Sequence, residues 1–115
     1  MRRGDVVWVD LEPVRGREAS KCRPAVVVSN DAANASATRR AQGMVTVVPV
    51  TSNTERVYPF QVLLPSALTG LPADSKAQAE QVRSISIDRV DSAVGHLSAS
   101  IMVDLDAALR LHLQL

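Results

Sequence analysis

Apolar residues fall along this chain in short valine-rich runs, separated by polar stretches carrying proline, glycine and asparagine. In residues 5–11 (D-V-V-W-V-D-L), Val7, Val9 and Leu11 alternate with Trp8 and Asp10. A period of two predicts a strand with one buried face. Residues 12–22 read as a polar loop containing Pro13 and Gly16. Residues 23–30 predict a second strand, and the unbroken Val26-Val27-Val28 run predicts burial on both faces. Residues 31–41 are rich in Ala, Asn and Arg and read as a short helix or a polar loop, with Asn30 or Asp31 suited to the N-cap. Residues 44–51 predict a third strand. Pro49 removes a donor from it, so that end is expected at an edge or a bulge. A turn at 52–56, a fourth strand at 60–64 and a Pro- and Gly-marked loop through Asp74 follow. Residues 77–87 are ambiguous, although Val82, Ile85 and Ile87 suit a strand in the second half. Residues 94–97 predict a last short strand. Ser98 then caps a helix to Leu115, whose Ile101, Leu105, Ala108, Leu109 and His112 recur at three- and four-residue spacing and form one apolar stripe.

Strands followed by one terminal helix imply a mainly β (α+β) fold, a small barrel or strongly bent antiparallel sheet with a C-terminal helix. The 17 Val and 3 Ile strengthen this, because β-branched side chains lose little χ1 freedom in extended backbone. A length of 115 residues suits one domain, 1–115, with one core. A hydrophobic content of 46% excludes a disordered chain. The formal net charge is +1, so the total announces no polyanion. Its distribution is less even. Residues 1–40 carry 8 basic and 5 acidic side chains (+3), and residues 41–115 carry 5 and 7 (−2). The N-terminal part is therefore suited to face a polyanion. Cys22 is the single cysteine, so no internal disulfide forms, as in a reducing compartment. Asp5 and Asp10 interrupt what would be the apolar stretch of a signal peptide. The longest uncharged run, residues 57–73, is broken by Pro59, Pro65, Gly70 and Pro72. A soluble, cytoplasmic domain is expected, with no membrane association.

Several chemistries find no support. His96 and His112 are far apart and Cys22 is alone, so no metal-ligand spacing occurs and no metal or other cofactor is expected. His112 is expected to pack on the helix stripe, and His96 to make a local hydrogen bond. Residues 16–21 faintly resemble a phosphate-binding loop but lack its second glycine and its Ser/Thr. The aromatic residues are Trp8, Tyr58 and Phe60. A base-stacking platform needs two or three exposed rings, and some of these three are expected to fill the core.

Two polar stretches remain. One is the loop Gly16-Arg17-Glu18-Ala19-Ser20-Lys21-Cys22-Arg23-Pro24, which sets a carboxylate five residues before an arginine and beside two further cations. The other is the end of the third strand, Val50-Thr51-Ser52-Asn53. Read alone, the loop is a solvated segment with one surface ion pair.

Read together with residues 3–11, 23–31, 47–51 (V-V-P-V-T), 58–60 (Y-P-F) and 79–85 (A-E-Q-V-R-S-I), these stretches change the picture. In that order and spacing, over nearly the whole chain, the sequence resembles the MazF/PemK-like toxins, the endoribonucleases of toxin–antitoxin modules. The resemblance implies an SH3-like β-barrel of about five to seven antiparallel strands with a C-terminal helix, forming a homodimer. It implies metal-free cutting of single-stranded RNA to a cyclic phosphate and a 5′-hydroxyl. It also implies a cognate MazE-like antitoxin, whose acidic C-terminal tail covers the RNA-binding face. By resemblance Arg23 and Thr51 are catalytic, with Glu18 as the base or the group that positions the loop. An arginine fork holds two phosphate oxygens, but a guanidinium keeps its proton, which unfits it as a simple base. Arg17, Lys21, Ser52, Asn53, Glu80, Gln81 and Arg83 are the expected RNA-binding residues, the last three otherwise a polar strand face. Many family members read Gly-Ser-Glu-Gln where this chain has Gly16-Arg17-Glu18-Ala19. Cleavage is expected to survive that change and sequence preference to differ. Trp8 is expected in the core or at a dimer interface, and Ile101, Met102, Leu105 and Leu109 are expected to be structural. The competing readings are a CcdB-like toxin of the same fold that binds DNA gyrase, and a non-catalytic RNA-binding barrel.

Overall fold

The computed structural model describes residues 1–11 and 22–115. Among the described residues there are seven strands: β1 (Asp5–Asp10), β2 (Cys22–Val27), β3 (Met44–Thr51), β4 (Gln61–Leu64), β5 (Ser75–Gln78), β6 (Arg83–Ser86) and β7 (Val90–His96). Three helices join them: α1 (Asp31–Arg40), the four-residue α2 (Ser66–Thr69) and α3 (Ala99–Leu113). Every described pairing is antiparallel, in the order β4-β5-β3-β2-β1-β7, with β6 also on β3. The mainly β fold with a C-terminal helix is therefore present, with all seven strands.

Period-two alternation in β1, β2 and β3 sends successive valines to opposite faces of the sheet. Val6, Val26, Val48 and Val50 pack on one face with Val62, Leu64 and the Ile101, Leu105 and Ala108 stripe of α3. Val7, Val9, Ala25, Val27, Val45 and Val47 pack on the other with Ile85 and Ala37 of α1. Of the Val26-Val27-Val28 run expected to be buried on both faces, Val26 and Val27 are buried by this sandwiching, while Val28 lies just past β2 and is half-buried.

Ser98 caps α3 by accepting from the Ile101 N–H at 3.3 Å. Arg3 ties the chain start to this helix, with its Nη2 2.6 Å from Asp106 Oδ1 and its Nε donating to the Val28 carbonyl. Asn30 caps α1 by accepting from the Ala33 N–H at 2.8 Å, so residues 31–40 are helix rather than loop. Buried Asn34 is satisfied, donating to the Ser29 carbonyl and accepting from the Ser29 hydroxyl.

Three expectations are corrected. Pro49 lies at no edge but is buried in the centre of the sheet. The Val28 N–H donates to Thr46, which with the Val26↔Val48 register makes the even-numbered residues of β3 the ones bonded to β2. The Pro49 nitrogen therefore faces the other side, in the gap between Val47, opposite Arg83 of β6, and Val50, opposite Ala77 of β5. His112 is exposed rather than packed, because the buried stripe of α3 ends at Ala108. The last strand starts at Val90, four residues earlier than expected. Two glycines permit a close crossing beside it. A Cβ on Gly95 would stand 2.3 Å from the Thr69 carbonyl oxygen, and Gly70 ends α2 at φ +79°.

Candidate active-site cleft

The β2–β3 register brings two expected site residues together. Continuing Val27↔Val47 and Ala25↔Pro49 by two residues sets Arg23 opposite Thr51, just past the last paired residues. By the same alternation this is a non-hydrogen-bonded position, where facing side chains come closest. Arg23 itself is held in the β1–β2 ladder opposite Val9. Both residues line an open cleft of about 220 Å³, with Trp8, Pro24, Leu71 and Ser75 among its walls. Arg23 is half-buried and is the one charged residue among the described lining.

Two successive turns fix the end of β3. The Thr51 hydroxyl oxygen accepts from the Asn53 N–H at 3.2 Å, and Asn53 Oδ1 accepts from the Glu55 N–H at 3.2 Å. A hydroxyl carries one donor and two acceptor lone pairs, so Thr51 retains its proton to donate into the cleft. Ser52 stands exposed on the cleft lip. The side-chain oxygen of Asn53 is engaged in its own turn.

Glu80, Gln81 and Arg83 are placed elsewhere. A 3₁₀ turn at Ala79–Gln81 follows β5, and Arg83 opens β6 opposite Val47, about 13 Å along β3 from Thr51. None of the three lines the cleft. Glu80 Oε2 accepts from Gln61 Nε2 at 2.7 Å, while Gln61 Oε1 accepts from the Tyr58 N–H at 3.1 Å. Glu80 Oε1 and Gln78 Oε1 are buried with no hydrogen-bond partner among the described residues. Arg17, Glu18 and Lys21 lie outside the described residues.

Two cleft-related residues carry little sequence signal. Trp8, expected in the core or at an interface, is half-buried and walls the cleft, because it sits opposite Pro24 beyond the reach of α3. Lys76, opposite Thr51 on β5, is only 8% exposed, and its Nζ donates to the Arg56 carbonyl at 2.5 Å. Its place in a row with Thr51 depends on the β5 register, which its own segment, S-K-A-Q, does not announce.

Chemically, the described cleft offers a guanidinium fork and hydroxyl donors, with no carboxylate or imidazole among its described residues. Such donors suit an anion with charge on several oxygens, as in phosphoryl transfer. No group of three or more His, Cys, Asp or Glu side chains suited to a metal occurs among the described residues. His96 lies away from the cleft and bonds across β1–β7, with its Nδ1 2.7 Å from Asp5 Oδ1. Burial pushes the Asp5 carboxyl up, but the Arg2 backbone N–H, the His96 hydrogen bond and the nearby positive charge outweigh it. They hold the group below its ordinary 3.8.

Comparison with known proteins identifies the family. Residues 2–113 match the model of the PemK-like, MazF-like toxins of type II toxin–antitoxin systems. The endoribonuclease MazF9 of Mycobacterium tuberculosis is 60% identical over 115 residues, covering 100% of this chain and 98% of the relative. The crystal structure of MazF from Deinococcus radiodurans superposes with a TM-score of 0.80 at 27% identity, over 100% of this chain and 97% of that one. A MazE–MazF complex from the same organism gives a TM-score of 0.73 at 26% identity, over 98% and 94% of the two chains.

Proposed function

The chain belongs to the PemK-like, MazF-like toxin family of type II toxin–antitoxin systems, and from that premise we propose that it is a sequence-specific endoribonuclease toxin. Its substrate is single-stranded RNA, messenger RNA first, and cutting it halts translation and growth. The observation that carries this reading is the placement of Arg23 and Thr51 on one face of one cleft. The 60% identity to a named endoribonuclease supports it.

The reaction is attack of a ribose 2′-hydroxyl on the adjacent phosphorus, with departure of the 5′-oxygen. It leaves a 2′,3′-cyclic phosphate and a 5′-hydroxyl, and it needs no metal. Arg23 grips two phosphate oxygens and stabilises the charge that builds on them. The Thr51 hydroxyl donates to the same developing charge. Glu18 takes the 2′-hydroxyl proton or positions the loop that carries Arg17 and Lys21. Ser52, Asn53, Glu80, Gln81 and Arg83 contact the flanking RNA.

The whole of 1–115 works as one toxin domain in the cytoplasm; no helix among the described residues is long and apolar enough to cross a membrane. A homodimer accounts for the apolar surface left by Leu113 and Leu115 at the end of α3, in a groove walled by Val28, Val82 and Leu109. A MazE-like antitoxin neutralises the toxin by laying its acidic C-terminal tail over the RNA-binding face; the solved MazE–MazF complexes of relatives support the pairing.

The test is incubation of the purified protein with a long single-stranded RNA in EDTA, followed by end mapping. Discrete cuts bearing cyclic phosphate and 5′-hydroxyl ends, lost in Arg23→Ala, are expected. Random or EDTA-sensitive cutting refutes the reading.

A further inference from the structure

None of the three aromatic rings of this chain is in the core, which is built from Val, Leu, Ile and Ala. Tyr58 and Phe60 instead lie at the surface, face to face, with ring centroids 5.4 Å apart and planes within 1°. Tyr58 is 40% exposed. Two cations attend it: the Arg56 guanidinium carbon lies 5.4 Å from the ring centroid, and Lys76 Nζ lies 5.8 Å from it. Arg56 also donates to the Tyr58 hydroxyl at 3.3 Å.

This cluster is coupled to the cleft by the sheet. Lys76 stands opposite Thr51, one strand away, and its buried ammonium holds the Arg56 carbonyl. Residues 52–60 begin at the cleft lip and end at the rings, and Gln61 anchors the far end by accepting from the Tyr58 N–H. An exposed aromatic stack with adjacent cations, next to a phosphate-gripping cleft, is the combination that binds single-stranded nucleic acid: rings take bases and cations take the backbone.

We propose that Tyr58, backed by Phe60 and flanked by Arg56, is a stacking platform for the base of a nucleotide flanking the cut, and that Lys76 is the positioning residue that holds it beside Thr51. The proposal rests on the RNA-cleavage reading above. It adds a binding subsite beyond the cleft, joined through Gln61 to the 3₁₀ turn that carries Glu80.

The experiment uses an RNA oligonucleotide spanning the mapped site, with a 2′-deoxy sugar at the cut so that it binds without reacting. 2-Aminopurine replaces each flanking base in turn, and its fluorescence is followed during titration with the full-length protein. Quenching at one flanking position is expected. Tyr58→Ala should abolish that quenching and weaken binding roughly 5- to 150-fold, the range for losing one stacked base. Tyr58→Phe should keep both. Tyr58→Leu separates stacking from packing, because it retains apolar bulk without a π face; full rescue by leucine overturns the proposal. So does Tyr58→Ala binding within twofold of wild type with quenching intact. An RNA-cleavage failure is distinguishable, since it appears in the wild type as absence of cutting and binding before any Tyr58 variant is made, and the platform falls with it.

Discussion

Replacing Thr51 by valine removes one hydroxyl and nearly nothing else. The side chain keeps its branching and volume, and Thr51 is only half-buried, so no cavity opens. One hydrogen bond is lost, the 3.2 Å contact from the Asn53 N–H. Asn53 is exposed and its amide can turn to water, so the cost lies at or below the usual ~0.5–1.5 kcal/mol of a net hydrogen bond. For a chain of this size that lowers Tm by no more than about 6 °C. The effect on cleavage is far larger. A preorganised donor aimed at developing charge contributes about 10²–10³ in rate, or roughly 3–4 kcal/mol. The assay is single-turnover cutting of an end-labelled RNA at saturating enzyme, alongside a thermal melt. Thr51→Val should cut about 10²–10³ slower while melting close to wild type, and Thr51→Ser should recover most of the loss. Arg23→Ala,Thr51→Val together should fall short of the product of the single losses, because both groups act on one phosphate. Thr51→Val within tenfold of wild type would refute the donor role and leave Thr51 as a turn-forming residue only.

Three other outcomes follow from the fold. Gly95→Ala pushes a Cβ to 2.3 Å from the Thr69 carbonyl, a backbone atom that cannot swing aside, so urea melts should show a loss of at least about 1–3 kcal/mol; an unchanged midpoint would contradict the crossing. Asp5 has a folded-state pKa below its unfolded value, so its contribution is present above pH 3.8 and is lost as pH falls through the lower folded value. Urea midpoints measured from pH 6 to pH 2 should therefore fall more steeply in wild type than in Asp5→Asn, and parallel curves would contradict it. Leu113→Lys places a charge in the exposed apolar groove at the end of α3 and should shift the protein from dimer to monomer in sedimentation velocity; an intact dimer would move the interface elsewhere.

Much of the fold was legible because period and caps agree. The alternation in Val7, Val9 and Leu11, and the Ser98 cap before the Ile101–Leu105–Ala108 stripe, each point to one element. The 31–41 segment stayed open because α1 buries only Asn34 and Ala37, too little to impose an apolar period; the Asn30 cap decides it. Two short elements were invisible for physical reasons. Ser66–Thr69 spans one turn between Pro65 and Gly70, which reads as a loop. Ser75–Gln78 has no β-branched residue and is a strand because β3 and β4 pair with it on both sides. Arg23 and Thr51 were legible by resemblance, and the β2–β3 register supplies the physical reason they meet. The surface placement of Tyr58 and Phe60 was not legible, because composition counts rings without saying which side of the sheet takes them. Here aliphatic side chains alone fill both faces.

End mapping of RNA incubated with the protein in EDTA, wild type beside Arg23→Ala, tests the central claim most directly. Cuts at one short sequence, ending in cyclic phosphate and 5′-hydroxyl and absent with folded Arg23→Ala, are the predicted result. A folded wild type that leaves RNA intact, or an Arg23→Ala variant that cuts as fast, would contradict the assignment of the cleft as the site of RNA cleavage.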